Sequence, residues 1–232
     1  MVESFPVPTP RATPPSSTPR WSAWPLPVRH GFLPTATGDD IGYVGAITAH
    51  YCQRLGCRVE PLGLYDRSRT TADIERSIAD ADIVFVGGGN TLRMMRLWRQ
   101  RGVDQFLAKA ATEGTVLAGI SAGGICWCAA GISDSRSFTA GDNPWDYIAV
   151  RGLSLLNILL APHYNADPRR QDALRRIAHR TRQVGVGLDD CTALEIIDDR
   201  FRILSSRTGP PHTASTEPAP STTYPLTTTS VH

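Results

Sequence analysis

The stretch VLAGISAGGICW, residues 116–127, decides how this chain folds. An apolar, β-prone run at 115–118 meets Gly119-Ile-Ser-Ala-Gly123, and a segment of small, helix-compatible residues follows. This order predicts a strand, a sharp turn and a helix, with Ser121 at the apex of the turn. A glycine on each side permits the tight backbone, and the start of the helix directs free N–H groups at the serine hydroxyl. The pattern is typical of a nucleophile elbow, although short Gly/Ser strings also occur in ordinary loops.

Strands and helices alternate on both sides of this elbow. Apolar runs predict strands at 30–36, 57–64, 82–86, 153–160, 184–188, 192–197 and 201–204. Helical spacing predicts helices at 41–55, 70–79, from 91 onward, 103–112 and 167–180. Such alternation predicts an α/β three-layer sandwich in which helices cover both faces of a mostly parallel central sheet.

Both ends of the 232-residue chain differ from its centre. Residues 1–27 and 208–232 are rich in Pro, Ser and Thr and lack any period of 2 or 3.6. This composition predicts two disordered segments. One catalytic domain is then expected at 28–207, a length that suffices for a single core.

Charge and cysteine content narrow the class of protein. A net charge of +2 indicates no affinity for nucleic acid or for an anionic membrane. Five cysteines in a chain of this size favour reduced thiols and a cytoplasmic location. No apolar run approaches the roughly 18 residues that would span a membrane, and prolines occupy the place of a signal-peptide core.

The sequence GGGN follows the predicted strand at 82–86, at the edge where open α/β sheets place their ligands. Its glycines expose backbone amides, so the N–H of Gly88 or Gly89 could form an oxyanion hole together with that of Ala122. A plain tight turn is the alternative. The stretch matches neither the dinucleotide-binding motif nor a phosphate loop.

A serine nucleophile requires a base and an acid that orients the base. Of the six histidines, His163 is the best candidate, because it follows an apolar strand at the edge where Ser121 should emerge. Asp134 lies in a polar loop after the elbow, and Asp189 and Asp190 follow another strand. The spacing alone does not choose among the three carboxylates.

Five motifs in this order resemble the peptidase E family of serine peptidases, which includes aspartyl dipeptidases and cyanophycinases. They occupy residues 87–91, 119–127, 133–135, 162–164 and 187–190. The resemblance implies a fold related to class I glutamine amidotransferases, with Ser121 as nucleophile and His163 as base. Asp134 matches the acid of the dipeptidase branch, whereas Asp190 matches that of the cyanophycinase branch.

The resemblance also implies a substrate and a set of partners. It implies hydrolysis of small peptides that begin with aspartate or contain β-aspartyl bonds, with no metal and no other cofactor. Asn90 is expected to contact the substrate, and Arg136, Arg169 and Arg170 are candidate cations for its carboxylate. No nucleic-acid or membrane partner is expected, and a homodimer is one assembly that the sequence allows.

The chain departs from the family pattern at its start. Family members open with a glycine-containing first strand, whereas a proline-rich stretch stands in that place here. Two explanations stay open: the assigned start of the chain is wrong, or the first strand is missing, which would expose a neighbouring strand edge. Two other functions stay open: an α/β-hydrolase esterase, which shares G-x-S-x-G, and an inactive relative that binds a ligand in the same cleft.

Overall fold

The computed structural model describes residues 3–7, 27–138, 146–198, 200–206 and 215–217, which form two β-sheets and their covering helices. The strands are β1 (Glu3–Val7), β2 (Arg29–Leu33), β3 (Arg58–Pro61), β4 (Ile83–Val86), β5 (Val116–Ile120), β6 (Cys128–Ser133), β7 (Ile148–Arg151), β8 (Leu156–Pro162), β9 (Val184–Leu188), β10 (Thr192–Ile197), β11 (Arg200–Ser205) and β12 (Ser215–Glu217). The helices are α1 (Ile41–Leu55), α2 (Thr71–Ala79), α3 (Thr91–Arg101), α4 (Val103–Thr112), α5 (Ala122–Ile125) and α6 (Pro168–Thr181), preceded by a 3₁₀ turn at Thr35–Thr37.

The larger sheet has the strand order β11-β10-β1-β5-β4-β2-β3. Strands β3, β2, β4 and β5 pair in parallel with one another in that order. Strand β1 lies parallel to β10 and antiparallel to β5, and β10 and β11 form the predicted hairpin. Because β4 and β5 are parallel neighbours, the glycine loop and Ser121 follow them at the same edge.

The smaller sheet has the order β12-β9-β8-β6-β7. Its three inner strands are parallel, and Pro162 at the end of β8 pairs with Leu188 at the end of β9. His163 follows β8 directly, and Asp190 lies two residues beyond β9. The register therefore brings these two side chains to one edge.

Alternating side chains of the larger sheet bury two separate apolar layers. Val84 and Val86 face a core that includes Met95 and Trp98 of α3 and buried residues of α2 and α4. Phe85 faces the opposite side and contacts a cluster that is closed by α1. A further cluster, which includes Ile125, Leu160 and Leu194, joins the two sheets. This confirms the predicted three-layer α/β architecture with a mostly parallel sheet.

The helix-capping residues that the sequence predicts also cap the helices in the structure. The Thr70 hydroxyl accepts from the Asp73 amide and the Asp73 carboxylate accepts from the Thr70 amide, which completes a capping box for α2. Asp167 caps α6, and Pro168 occupies its first turn. Gly56 ends α1 with a left-handed φ of 65°.

The structure differs from the sequence-based expectations at four places. Strand β1 lies inside the larger sheet, so the prediction of a missing first strand is wrong. Strands β1 and β12 also give regular structure to parts of the two segments predicted to be disordered; the rest of those segments lies outside the described residues. The helix after the elbow has four residues and is followed by β6 and β7, where no strands were predicted. The final strands divide between two sheets instead of completing one.

The domain boundaries at 28 and 207 stay a prediction. Among the described residues, no helix combines the length and the apolar character that crossing a membrane requires.

Candidate active site

The elbow holds Ser121 in a conformation that few residues adopt. Its φ is 55° and its ψ is −108°, between β5 and α5. Neighbouring backbone excludes larger residues on either side: a Cβ on Gly119 would lie 2.1 Å from the Gly123 carbonyl oxygen, and one on Gly123 would lie 2.0 Å from that of Val86. The two glycines of G-x-S-x-G are therefore required by close packing.

Helix α5 begins directly at the serine. The amides of Gly124 and Ile125 both donate to the Ser121 carbonyl oxygen at 3.0 Å. Behind the helix, Cys126 and Trp127 are fully buried, and the Cys126 thiol donates to the Gly123 carbonyl at 3.0 Å. Burial raises the pKa of the Cys126 thiol, which keeps this group neutral and inert.

His163 and Asp190 form a close polar pair at the ends of β8 and β9. Nδ1 of His163 lies 2.6 Å from Oδ1 of Asp190, and about one third of each side chain is exposed, 32% and 34% respectively. The Tyr164 amide donates to the Leu188 carbonyl at 2.9 Å, which ties the two strand ends together. The Asp190 amide also donates to Oδ1 of Asn165 at 3.0 Å. With the carboxylate accepting at Nδ1, Nε2 becomes the basic ring nitrogen.

The structure places the other two candidate acids elsewhere. Asp134 lies 3.4 Å from the guanidinium of Arg170, which is 5% exposed and also donates to the Ile132 carbonyl. The same guanidinium stacks on the Tyr147 ring at 4.5 Å. Asp189 is buried, and its backbone carbonyl accepts from the Thr192 hydroxyl at 2.6 Å. Of the three carboxylates, the structure thus brings Asp190 to His163.

The glycine loop lies against the elbow. A Cβ on Gly88 would contact Cβ of Ser121 at 3.4 Å, so this residue borders the nucleophile directly. Gly89 has a φ of +131°, and a Cβ there would lie 2.4 Å from the Ala36 carbonyl oxygen, which excludes any side chain. The Gly88 amide donates to the Tyr43 hydroxyl at 3.4 Å. Tyr43 carries no local sequence signal for this contact, because it lies on α1, 45 residues before Gly88.

Both polar atoms of the Asn90 side chain form hydrogen bonds within the protein. Its side-chain oxygen caps α3 by accepting from the Arg93 amide at 3.0 Å, and its amide nitrogen donates to the Ser135 carbonyl at 3.2 Å. Arg136 is exposed on the loop that follows. Contact of either residue with a substrate stays a prediction.

Two buried serines attach the Asp134 loop to α3. The Ser135 hydroxyl accepts from the Leu92 amide at 3.0 Å and lies 2.7 Å from the Ser133 hydroxyl. Ser133 in turn donates to Thr91 at 3.1 Å. This network holds the loop at the rim of the site. In the part of the chain that the structure describes, no three His, Cys, Asp or Glu side chains come together in a way that could hold a metal ion.

Comparison with known proteins identifies relatives for most of the chain. The model of peptidase family S51 matches residues 28–204. The chain is 36% identical over 180 residues to the uncharacterized peptidase YgaJ of Bacillus subtilis, covering 77% of this chain and 74% of that protein. It is 31% identical over 144 residues to peptidase E of Citrobacter koseri, covering 59% of this chain and 56% of the relative.

A solved structure has the same fold. The crystal structure of a peptidase from an acI-B1 actinobacterium aligns with a TM-score of 0.61 at 18% identity, covering 82% of this chain and 81% of the other.

Proposed function

The chain belongs to peptidase family S51 and is a serine-type peptidase, and from that premise we propose that it hydrolyses small acidic peptides, Asp-X or β-aspartyl, through Ser121, His163 and Asp190. The observation that carries the triad is the 2.6 Å contact between His163 and Asp190. A carboxylate on Nδ1 fixes the tautomer in which Nε2 can accept a proton from serine. The strained elbow, which presents Ser121 at the neighbouring sheet edge, supports the same assignment.

The orienting acid in this proposal is Asp190 and not Asp134. Asp190 meets the histidine directly, whereas Asp134 meets the buried Arg170 at 3.4 Å. If Asp134 left Arg170 to reach His163, a buried guanidinium would lose its carboxylate partner, and an unpaired buried charge is costly. The sequence pattern of the cyanophycinase branch agrees with this choice.

Each group has one task in the proposed reaction. His163 Nε2 takes the Ser121 proton while Oγ attacks the scissile carbonyl carbon, and the Asp190 carboxylate stabilises the imidazolium. The Ala122 amide and a second hydrogen-bond donor beside the glycine loop stabilise the oxyanion. The imidazolium then protonates the leaving amine as the C–N bond breaks and an acyl-serine forms. Water, deprotonated by the same histidine, attacks the ester, releases the acid and restores the serine.

The acidic substrate class follows from the family resemblance and from the placement of Arg136. This exposed residue directly follows Ser135, whose hydroxyl is bound to the first turn of α3. An arginine on an anchored loop offers a fork of donors to a carboxylate at modest cost in ordering. In this proposal Arg136 binds the aspartate side chain of the substrate, while the buried Arg170 keeps its structural contacts.

The test is hydrolysis of a panel of Asp-X, Ala-X and β-aspartyl dipeptides by the wild-type chain and by Ser121→Ala. We expect cleavage of acidic members only and complete dependence on Ser121, with an unchanged melting temperature for the variant. Cleavage that persists in Ser121→Ala would overturn the nucleophile. Cleavage of Ala-X as fast as Asp-X would overturn the substrate class and leave the triad standing.

The two alternatives from the sequence have distinct outcomes in the same assay. An esterase would turn over short p-nitrophenyl esters without cleaving any dipeptide. An inactive ligand-binding relative would cleave nothing, and its Ser121 would not react with a fluorophosphonate probe. Either result would contradict the proposed reaction.

A further inference from the structure

Tyr43 is held at the site by the first turn of α1. The Asp40 carboxylate caps this helix by accepting from the Tyr43 amide at 2.7 Å, which fixes the backbone of the tyrosine. Its ring packs edge-on against Phe32, with centroids 5.8 Å apart. The ring also occupies the space that a side chain at residue 87 would need, because a Cβ on Gly87 would lie 2.7 Å from Cε1 of Tyr43.

The Tyr43 hydroxyl lies where the oxyanion donors are expected. It accepts the N–H of Gly88 at 3.4 Å, and Gly88 borders Ser121. The Gly88 N–H is thus engaged by the phenol oxygen. A phenolic hydroxyl that accepts one bond still has its own proton to donate. Burial raises the pKa of Tyr43, so the phenol stays protonated at neutral pH.

We propose that Tyr43 is a catalytic donor of the oxyanion hole, standing between the Gly88 amide and the substrate carbonyl oxygen. This inference rests on the proposed function and adds a residue to it. The tetrahedral intermediate receives one hydrogen bond from the Tyr43 O–H and one from the Ala122 N–H. The Gly88 N–H polarises the phenol and strengthens the bond that it donates. Tyr43 transfers no proton in this step, because it keeps its hydrogen when the intermediate collapses.

A purely structural Tyr43 predicts different kinetics. If the hydroxyl only closes α1 onto the glycine loop, its removal lowers the melting temperature slightly, as the loss of one hydrogen bond does, and leaves turnover unchanged. A donor that acts only on the oxyanion lowers kcat and leaves KM nearly unchanged, since the interaction forms in the transition state. The two roles therefore separate in a kcat and KM measurement.

The experiment compares Tyr43→Phe with wild type on the best acidic dipeptide of the panel. We expect kcat to fall by about 10²-fold, as for the loss of one oxyanion donor elsewhere, with KM changing less than about threefold. Tyr51→Phe removes a hydroxyl from the same helix, away from the glycine loop, and should keep full turnover. Equal kcat for Tyr43→Phe and wild type would overturn the inference, and so would a change confined to KM.

A second variant moves the hydroxyl without removing it. Gly87→Ala places a methyl group against the Tyr43 ring, so we expect a fall in kcat similar to that of Tyr43→Phe. The control is Gly45→Ala on the same helix as Tyr43, where nothing lies within 4 Å of the added methyl. If Ser121→Ala abolishes cleavage while both Tyr43→Phe and Gly87→Ala keep it, the tyrosine inference fails and the serine peptidase stands. Activity that survives in Ser121→Ala refutes the proposed function itself.

Discussion

Ser121 and His163 both have a φ of 55°, yet their surroundings differ. The serine is fixed by backbone packed so closely that neither Gly119 nor Gly123 could carry a methyl group. The histidine stands in a loop, one third exposed, and is oriented by one carboxylate. The serine half of the site thus depends on the core, whereas the histidine half depends on a few polar contacts. Changes in the first half should affect folding, and changes in the second should affect chemistry alone.

The largest effect is expected at the serine half. In Gly123→Ala the new Cβ would lie 2.0 Å from the Val86 carbonyl oxygen, so β4 and the elbow must separate. We expect a loss of about 4 kcal/mol or more in the free energy of unfolding, or no folded protein. Urea unfolding followed by circular dichroism measures it. A Gly123→Ala chain with wild-type stability would show that the elbow is looser than its contacts indicate.

The histidine half should show the opposite pattern. Asp190→Asn removes the carboxylate that holds the tautomer, and we expect kcat/KM to fall roughly 10³-fold or more with a melting temperature close to wild type. The matched control is Asp134→Asn, which alters the Arg170 pair and should keep activity within about tenfold. Steady-state kinetics on the acidic dipeptide measure both variants. The reverse order of effects would assign the acid to Asp134.

A buried histidine on another strand extends the comparison to pH. His30 on β2 is 1% exposed between Tyr51 and Phe85, and desolvation lowers its pKa from 6.5 to about 4. Between these two pH values His30 is protonated in the unfolded chain and neutral in the folded chain. The free energy of unfolding therefore falls as the pH drops from 6.5 towards 4. The total loss is about 3 kcal/mol.

His30→Phe should remove this acid-dependent loss, which urea unfolding at pH 7 and pH 4.5 would measure. An unchanged loss of stability in the variant would assign the acid sensitivity to other groups.

The smallest effect is expected at Asn165. Its side chain accepts a hydrogen bond from the Asp190 amide at 3.0 Å and so helps to position the carboxylate that meets His163. Asn165→Ala should lower kcat several-fold, roughly 1 kcal/mol of transition-state stabilisation, and leave stability nearly unchanged. Asn165→Asp keeps the acceptor, so it should recover most of the turnover. A failure of Asn165→Asp to recover activity would exclude this positioning role.

Signals that are local in sequence predicted local structure well. The capping box at Thr70 and the Asp167-Pro168 start of α6 need only neighbouring residues, and both are present. The elbow is of the same kind, because its glycines and serine are contiguous. Strand β6 escaped prediction, since its small Cys, Ala and Gly residues lack the β-branched and aromatic character of most strands.

The sequence pattern could not predict contacts between residues that are distant in the chain. The sequence could not choose between Asp134 and Asp190, because the choice depends on which strand ends meet in space. Tyr43 had no local signal, since its partner Gly88 lies on another element. The division into two sheets and the place of β1 depend on pairing between distant segments, which periodicity does not encode.

Strand β1 has a consequence for how the chain reaches this fold. It fills the slot between β5 and β10, where residue 3 pairs with residues 120 and 193. Strand β1 therefore cannot complete its pairing until strand β10, far later in the sequence, exists. Closing such long loops costs entropy before any contact repays it, which slows folding. Until β1 is in place, β5, the strand that leads into the elbow, has an open edge, and an open strand edge is a site at which a chain can pair with another molecule.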